Sequence, residues 1–129
     1  MKKNSLFIIT VLLAVLILFF ATLPGVILTK YKILDNKIIF KLAHLVGFAM
    51  LTILFLNTFS EAIYKKNNML VNFLVIIVTM SLAIYIEIKQ TTIPGREASI
   101  IDIALDSTGI FLGFCAIRLC KRINIFLAK

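Results

Sequence analysis

Charge is scarce in this sequence, and so are the residues that build sulfur-based metal sites. Only 16% of the 129 residues are charged, while 61% are apolar. A water-soluble protein averages about 25% charged and roughly 45–50% apolar residues, and one small core cannot hide such an excess. A soluble domain is therefore excluded, and the solvent is lipid. Cysteine is limited to Cys115 and Cys120. Five apart on one predicted helix, they point about 140° away from each other. That excludes an intrahelical disulfide, a Cys-x-x-Cys redox pair and a zinc set, which the lone His44 does not complete. No cofactor and no metal are expected on these grounds. Acidic residues are few as well, six against fourteen Lys and Arg, for a net charge of +8. Beside apolar spans, that excess points to anionic phospholipid headgroups rather than nucleic acid.

What is abundant is long apolar sequence. Residues 6–28 carry no charge, long enough at about 1.5 Å per residue for the roughly 30 Å hydrocarbon core. A signal peptide is the rival reading, since Lys2 and Lys3 precede the run. The run is too long for one, however, and no small-x-small cleavage site follows it. An uncleaved helix that ends or kinks near Pro24-Gly25 is expected. The second span covers about 38–59, with Lys41 and His44 in its first turns, and the third about 69–87. A polar stretch from Glu61 to Asn68 joins them as antiparallel neighbours. The fourth, about 100–118, must include Asp102 and Asp106 to reach membrane length, which leaves a re-entrant or interfacial helix as its alternative. Gly109-x-x-x-Gly113 favours a span, because small residues let helix backbones approach closely in lipid. The expectation is an all-α membrane protein, one domain over residues 1–129, folded as a bundle of four transmembrane helices.

An even number of spans puts both termini on one side. Lys2, Lys3, Lys65, Lys66, Arg118, Lys121, Arg122 and Lys129 would share it, against Lys30, Lys32, Lys37, Lys41, Lys89 and Arg96 opposite. The basic bias makes the termini cytoplasmic. The ionisable residues of the spans, which cost several kcal/mol each, about 2.5 upward, unless paired or functional, then converge on the outer leaflet. They are Lys41 and His44 on helix two, Glu87 on helix three with the neutral amide of Gln90 three residues on, and Asp102 and Asp106 on helix four, with Arg96 in the loop between the last two. Asp102, Asp106, Gly109 and Gly113 fall within roughly 60° on a helical wheel, so one face is both acidic and small. Lys37, Lys41, His44 and Phe48 repeat that spacing and form a basic stripe that could meet it.

Two readings of this cluster stand side by side: an internal polar latch holding the helices together, and a binding or catalytic pocket. Two carboxylates one turn apart cannot both ionise cheaply in low dielectric, so Arg96 neutralises one or one binds a proton. Beside a titratable histidine, such a pair is an acid-base kit, with His44, Glu87 and Asp102 as candidate catalytic groups. Pro94-Gly95 forces a turn that presents Arg96 back towards the helix ends, where an acidic partner among Glu87, Asp102 and Asp106 is expected. Arginine suits two-pronged recognition of phosphate or carboxylate. Lys41, His44, Glu87, Gln90, Arg96, Asp102 and Asp106 form the candidate binding set.

The segment from Glu87 to Gly113 resembles the VanZ-like family of small bacterial membrane proteins, named for a protein associated with teicoplanin resistance. The family shows Glu-x-x-Gln, Pro-Gly-Arg, an Asp, an Asn or Asp four residues later, and spaced glycines. Here these fall on Glu87, Gln90, Pro94, Gly95, Arg96, Asp102, Asp106, Gly109 and Gly113. Upstream, the family's Asp-Lys-x-x-His is matched by Lys41 and His44, with Phe40 where the Asp would stand. Ile86 takes the place of a further common acid, so this site is less acidic than the usual version. The resemblance implies a multi-pass protein of the bacterial plasma membrane and a role in envelope biology. It carries no established substrate or reaction. The leading expectation is binding or modification of an anionic lipid-linked headgroup at the outer leaflet. The others are an enzyme working by proton transfer, and an accessory subunit or oligomer using Gly109 and Gly113.

Overall fold

In a computed structural model of the chain, residues 3–25, 37–63 and 68–127 are described. They form four helices: α1 (Lys3–Ala21), α2 (Lys37–Ile63), α3 (Asn68–Gln90) and α4 (Ile100–Leu127). No strand occurs among the described residues. Each helix contains a stretch long and apolar enough to cross a membrane: Asn4–Ala21, Ile38–Phe59, Met69–Gln90 and Ile100–Cys120. The chain is an all-α bundle of four candidate membrane-spanning helices.

The first helix stops at Ala21, close to the end or kink expected near Pro24-Gly25 and short of residue 28, where the uncharged run closes. The backbone N–H of Thr22 still reaches Leu18 O, but that of Leu23 turns to Phe20 O at 3.4 Å, a tightened last turn. Pro24 then brings no N–H and disfavours helical geometry in the residue before it. The fourth helix runs longer than expected. Its 28 residues form one uninterrupted rod, about 42 Å at 1.5 Å per residue, which replaces the re-entrant alternative. Residues 64–67, which include Lys65 and Lys66, and Lys2 and Lys129 lie outside the described residues.

The bundle is apolar outside and partly polar within, as burial in lipid requires. Leu12, Phe19, Phe73, Ile88 and Phe111 are exposed, while Thr10, Thr52, Thr58 and Thr79 are buried. The threonines are satisfied locally, each of Thr10, Thr52 and Thr79 donating at 2.8 Å to a carbonyl four residues back. Thr10 also meets Thr58 across the α1–α2 interface at 2.9 Å. Phe48, Leu51, Ala83, Ile86 and Ile110 pack beneath the polar end, and Leu56, Val71 and Val75 fill the other.

The most extensive interface joins α2 to α4, and it rests on the glycine pair. A Cβ on Gly109 would overlap the carbonyl of Leu45, and one on Gly113 would lie 2.5 Å from Ala49 O. The two backbones are therefore in direct contact along this seam, a packing available only to small residues. The glycine face considered for a second copy is thus occupied by α2 of the same chain.

Candidate polar site at one end of the bundle

Three helices supply the buried residues of the site. His44 comes from the N-terminal half of α2, Glu87 and Gln90 from the last turn of α3, and Asp102 and Asp106 from the first turns of α4. All five are buried, Asp106 with no exposed surface and Glu87 with 2%. Nδ1 of His44 lies 3.0 Å from Oδ1 of Asp106. This is the ion pair found among the described residues. In the neutral ring, with Nδ1 donating to the carboxylate, Nε2 keeps the free lone pair; in the protonated ring both nitrogens donate and the contact is an ion pair.

Glu87 has a different task. Ser99 is the N-cap of α4, its Oγ accepting from Asp102 N–H at 3.3 Å. The N–H of Ser99 itself donates to Oε2 of Glu87 at 2.8 Å. In a capping box that second bond comes from the helix's own third residue; here an acid on α3 supplies it, tying the end of one helix to the start of the next. Ser99 was not singled out in the sequence, although Ser99-Ile-Ile-Asp102 carries the spacing of a helix start.

The arginine does not go where the turn suggested. Gly95 has φ 76°, in the left-handed region that favours glycine. Through it the loop folds onto the end of α1, where Gly25 N–H donates to Pro94 O at 3.2 Å. Arg96 then donates to Phe20 O at 3.2 Å and Leu23 O at 3.3 Å. Among the described residues it forms no ion pair with Glu87, Asp102 or Asp106, which corrects the expected acid partner. The physical reason is that the last carbonyls of α1 lack an N–H four residues on, Pro24 standing in that place for Phe20, and lie at the negative end of the helix dipole, a natural seat for a guanidinium. Burial pushes the Arg96 guanidinium below its ordinary value, while Glu87 and Asp102 pull it back up, so the acids remain in electrostatic range. Its plane also lies over the ring of Phe40, 4.4 Å from the centroid. Phe40 in turn packs on His44 at 4.9 Å between centroids.

The basic stripe on α2 does not pair with the acidic face as a whole. His44 does, Lys41 is half-buried and takes no part in these contacts, and the side chain of Lys37 lies outside the described residues. Among the described residues, four buried side-chain atoms have no hydrogen-bond partner: Glu87 Oε1, Gln90 Nε2, Asp102 Oδ1 and Asp106 Oδ2. One ligand atom from each of His44, Glu87 and Asp106 lies within 4.8 Å of the others, so these three could hold a metal ion. Cysteine spacing excludes sulfur-based sets; this nitrogen donor and these two carboxylate donors come from three separate helices and show no local spacing.

Between α1 and α2 lies a cleft of about 300 Å³. Leu16, Phe20, Phe40 and Phe48 line it, with His44 as its ionisable wall residue. Compared with known families, the chain matches the family described as VanZ/LLP1 over residues 6–121. No curated protein and no solved structure matches the chain.

Proposed function

The chain belongs to the VanZ-like family, and from that premise we propose that it binds or modifies an anionic lipid-linked or cell-wall component at the outer leaflet of the bacterial plasma membrane, with both termini cytoplasmic. The observation that carries the proposal is the contact between the apolar cleft and the buried polar set, which share His44. Ligand clefts are mostly apolar with a few placed polar groups, and a lipid-linked compound presents that division: a hydrocarbon chain for Leu16, Phe20 and Phe40, a headgroup for the polar end. Lys41, Lys89 and Arg96 all belong to that end of the bundle, and an anionic headgroup is attracted to them. Lowered susceptibility to a glycopeptide such as teicoplanin is the cellular outcome this role would have.

The His44–Asp106 contact favours a second reading, a membrane enzyme using acid-base chemistry. A carboxylate on Nδ1 fixes the tautomer and orientation of an imidazole and stabilises its protonated form, and His44 faces the cleft. Full-length protein in nanodiscs, titrated with a polyprenyl-phosphate-linked saccharide, separates the readings. Saturable binding without turnover supports the receptor, and turnover supports the enzyme. Neither, under conditions where the fold is intact, rejects both. Asp102→Asn should keep normal membrane abundance and lose binding; equal loss of abundance and binding would make the cluster a latch.

A further inference from the structure

We propose that His44, Glu87 and Asp106, with Asp102 at their edge, bind one divalent transition-metal cation of the Zn²⁺ or Mn²⁺ type. The proposal does not depend on lipid recognition. It begins from charge. Three carboxylates stand inside a membrane-embedded bundle, His44 answers one of them, and the Arg96 guanidinium is committed to the carbonyls of α1. Buried charge without compensation is costly in lipid. A proton shared between two carboxylates compensates one at a time, whereas a divalent cation compensates several together.

The donor set is suited to such an ion. Zn–N and Zn–O bonds run about 2.0–2.2 Å, so donors on one ion stand at most about 4.4 Å apart. The observed group, within 4.8 Å, reaches that by small side-chain rotations. Glu87 Oε1 and Asp106 Oδ2 are buried and unpartnered, so each carboxylate keeps one oxygen free while the other makes a structural bond. Asp102 is a separate observation. It lies outside the group of three, is nine-tenths buried, and leaves Oδ1 without a partner. One turn before Asp106, it is in electrostatic range of His44, Glu87 and Asp106 alike. A site of one imidazole and two or three carboxylates suits Zn²⁺ or Mn²⁺ better than the all-oxygen shells of Mg²⁺ and Ca²⁺. The Ser99–Glu87 bond supplies outer support of the kind that orients metal ligands, and the Asp106–His44 bond holds two of the ligands against each other.

The test uses full-length protein in detergent, stripped with a chelator and dialysed against Zn²⁺, Mn²⁺ or Ca²⁺ in parallel. Bound metal is counted by mass spectrometry, and the Mn²⁺ form is read by electron paramagnetic resonance. One equivalent per chain is expected, with affinity falling at least about tenfold in Glu87→Gln and Asp106→Asn, since even an outer-support change typically costs 10–100-fold. Helical content by circular dichroism is checked for each variant. If either loses it, Asp102→Asn carries the test, since Asp102 Oδ1 makes no hydrogen bond that the fold would miss. No stoichiometric metal, equal binding by wild type and the folded variants, or retention of Ca²⁺ alone would overturn the proposal.

Discussion

Gly109→Ala should separate α2 from α4 and, with them, His44 from Asp106. The new Cβ would overlap Leu45 O and stand 3.1 Å from Leu45 C and 3.2 Å from Ala49 N, all backbone atoms. No rotamer change relieves such a contact, so the helices must move apart. The required shift is roughly 1 Å, and overpacking of this kind costs about 1–3 kcal/mol. Gly109 is one turn from Asp106, and Leu45 adjoins His44. A shift of that size lengthens the His44–Asp106 bond from 3.0 Å past the hydrogen-bonding range. The loss therefore includes part of a charged hydrogen bond, roughly 1.5–3 kcal/mol. Gly47→Ala is the matched control, because its Cβ would meet Ile17 side-chain carbons at 3.6 Å, an ordinary contact. Unfolding by sodium dodecyl sulfate in mixed micelles, followed by circular dichroism, reads both. Gly109→Ala within about 0.5 kcal/mol of wild type, the usual range for changes that touch nothing, would refute the seam as described.

Other expectations follow from individual contacts. Arg96→Ala should cost roughly 1.5–3 kcal/mol for its bonds to Phe20 O and Leu23 O, and neutralising Glu87 or Asp102 should not restore it; rescue in a double-mutant cycle would return the arginine to an acid. Phe40→Asp puts a carboxylate where the guanidinium now lies over a ring, and a cycle with Arg96→Ala should give a coupling of about 0.5–3 kcal/mol; no coupling would mean that position 40 does not address Arg96. Asp106→Leu, which strands a buried imidazole, should destabilise by about 1–3 kcal/mol, whereas Asp106→Asn, still able to accept from Nδ1, should unfold close to wild type. In a background without Cys115 and Cys120, a cysteine at position 96 should react with an impermeant thiol reagent in intact cells and one at position 66 should not; the reverse would move the site to the cytoplasmic face.

The sequence alone determined the solvent, the number of membrane-length helices among the described residues and the end of the bundle where the polar residues gather. Each is a property of composition or of neighbours along the chain. Hydrophobic runs of membrane length need no partner to be recognised, and an up-and-down path brings residues 44, 87–90 and 102–106 to one end by parity. The glycines at 109 and 113 were legible as a close-packing face for the same reason, since helical phase is local. Which helix fills that face was not legible, and α2 of the same chain does. The partner of each polar group was also decided in three dimensions. Arg96 had acids within reach and went to the carbonyls of α1, because the stop forced by Pro24 leaves those carbonyls open and Gly95 folds the loop onto them. Glu87 became the cap of a neighbouring helix through Ser99. His44, Glu87 and Asp106 became a possible ligand set only when three helices met, since a donor group drawn from separate helices has no spacing to read.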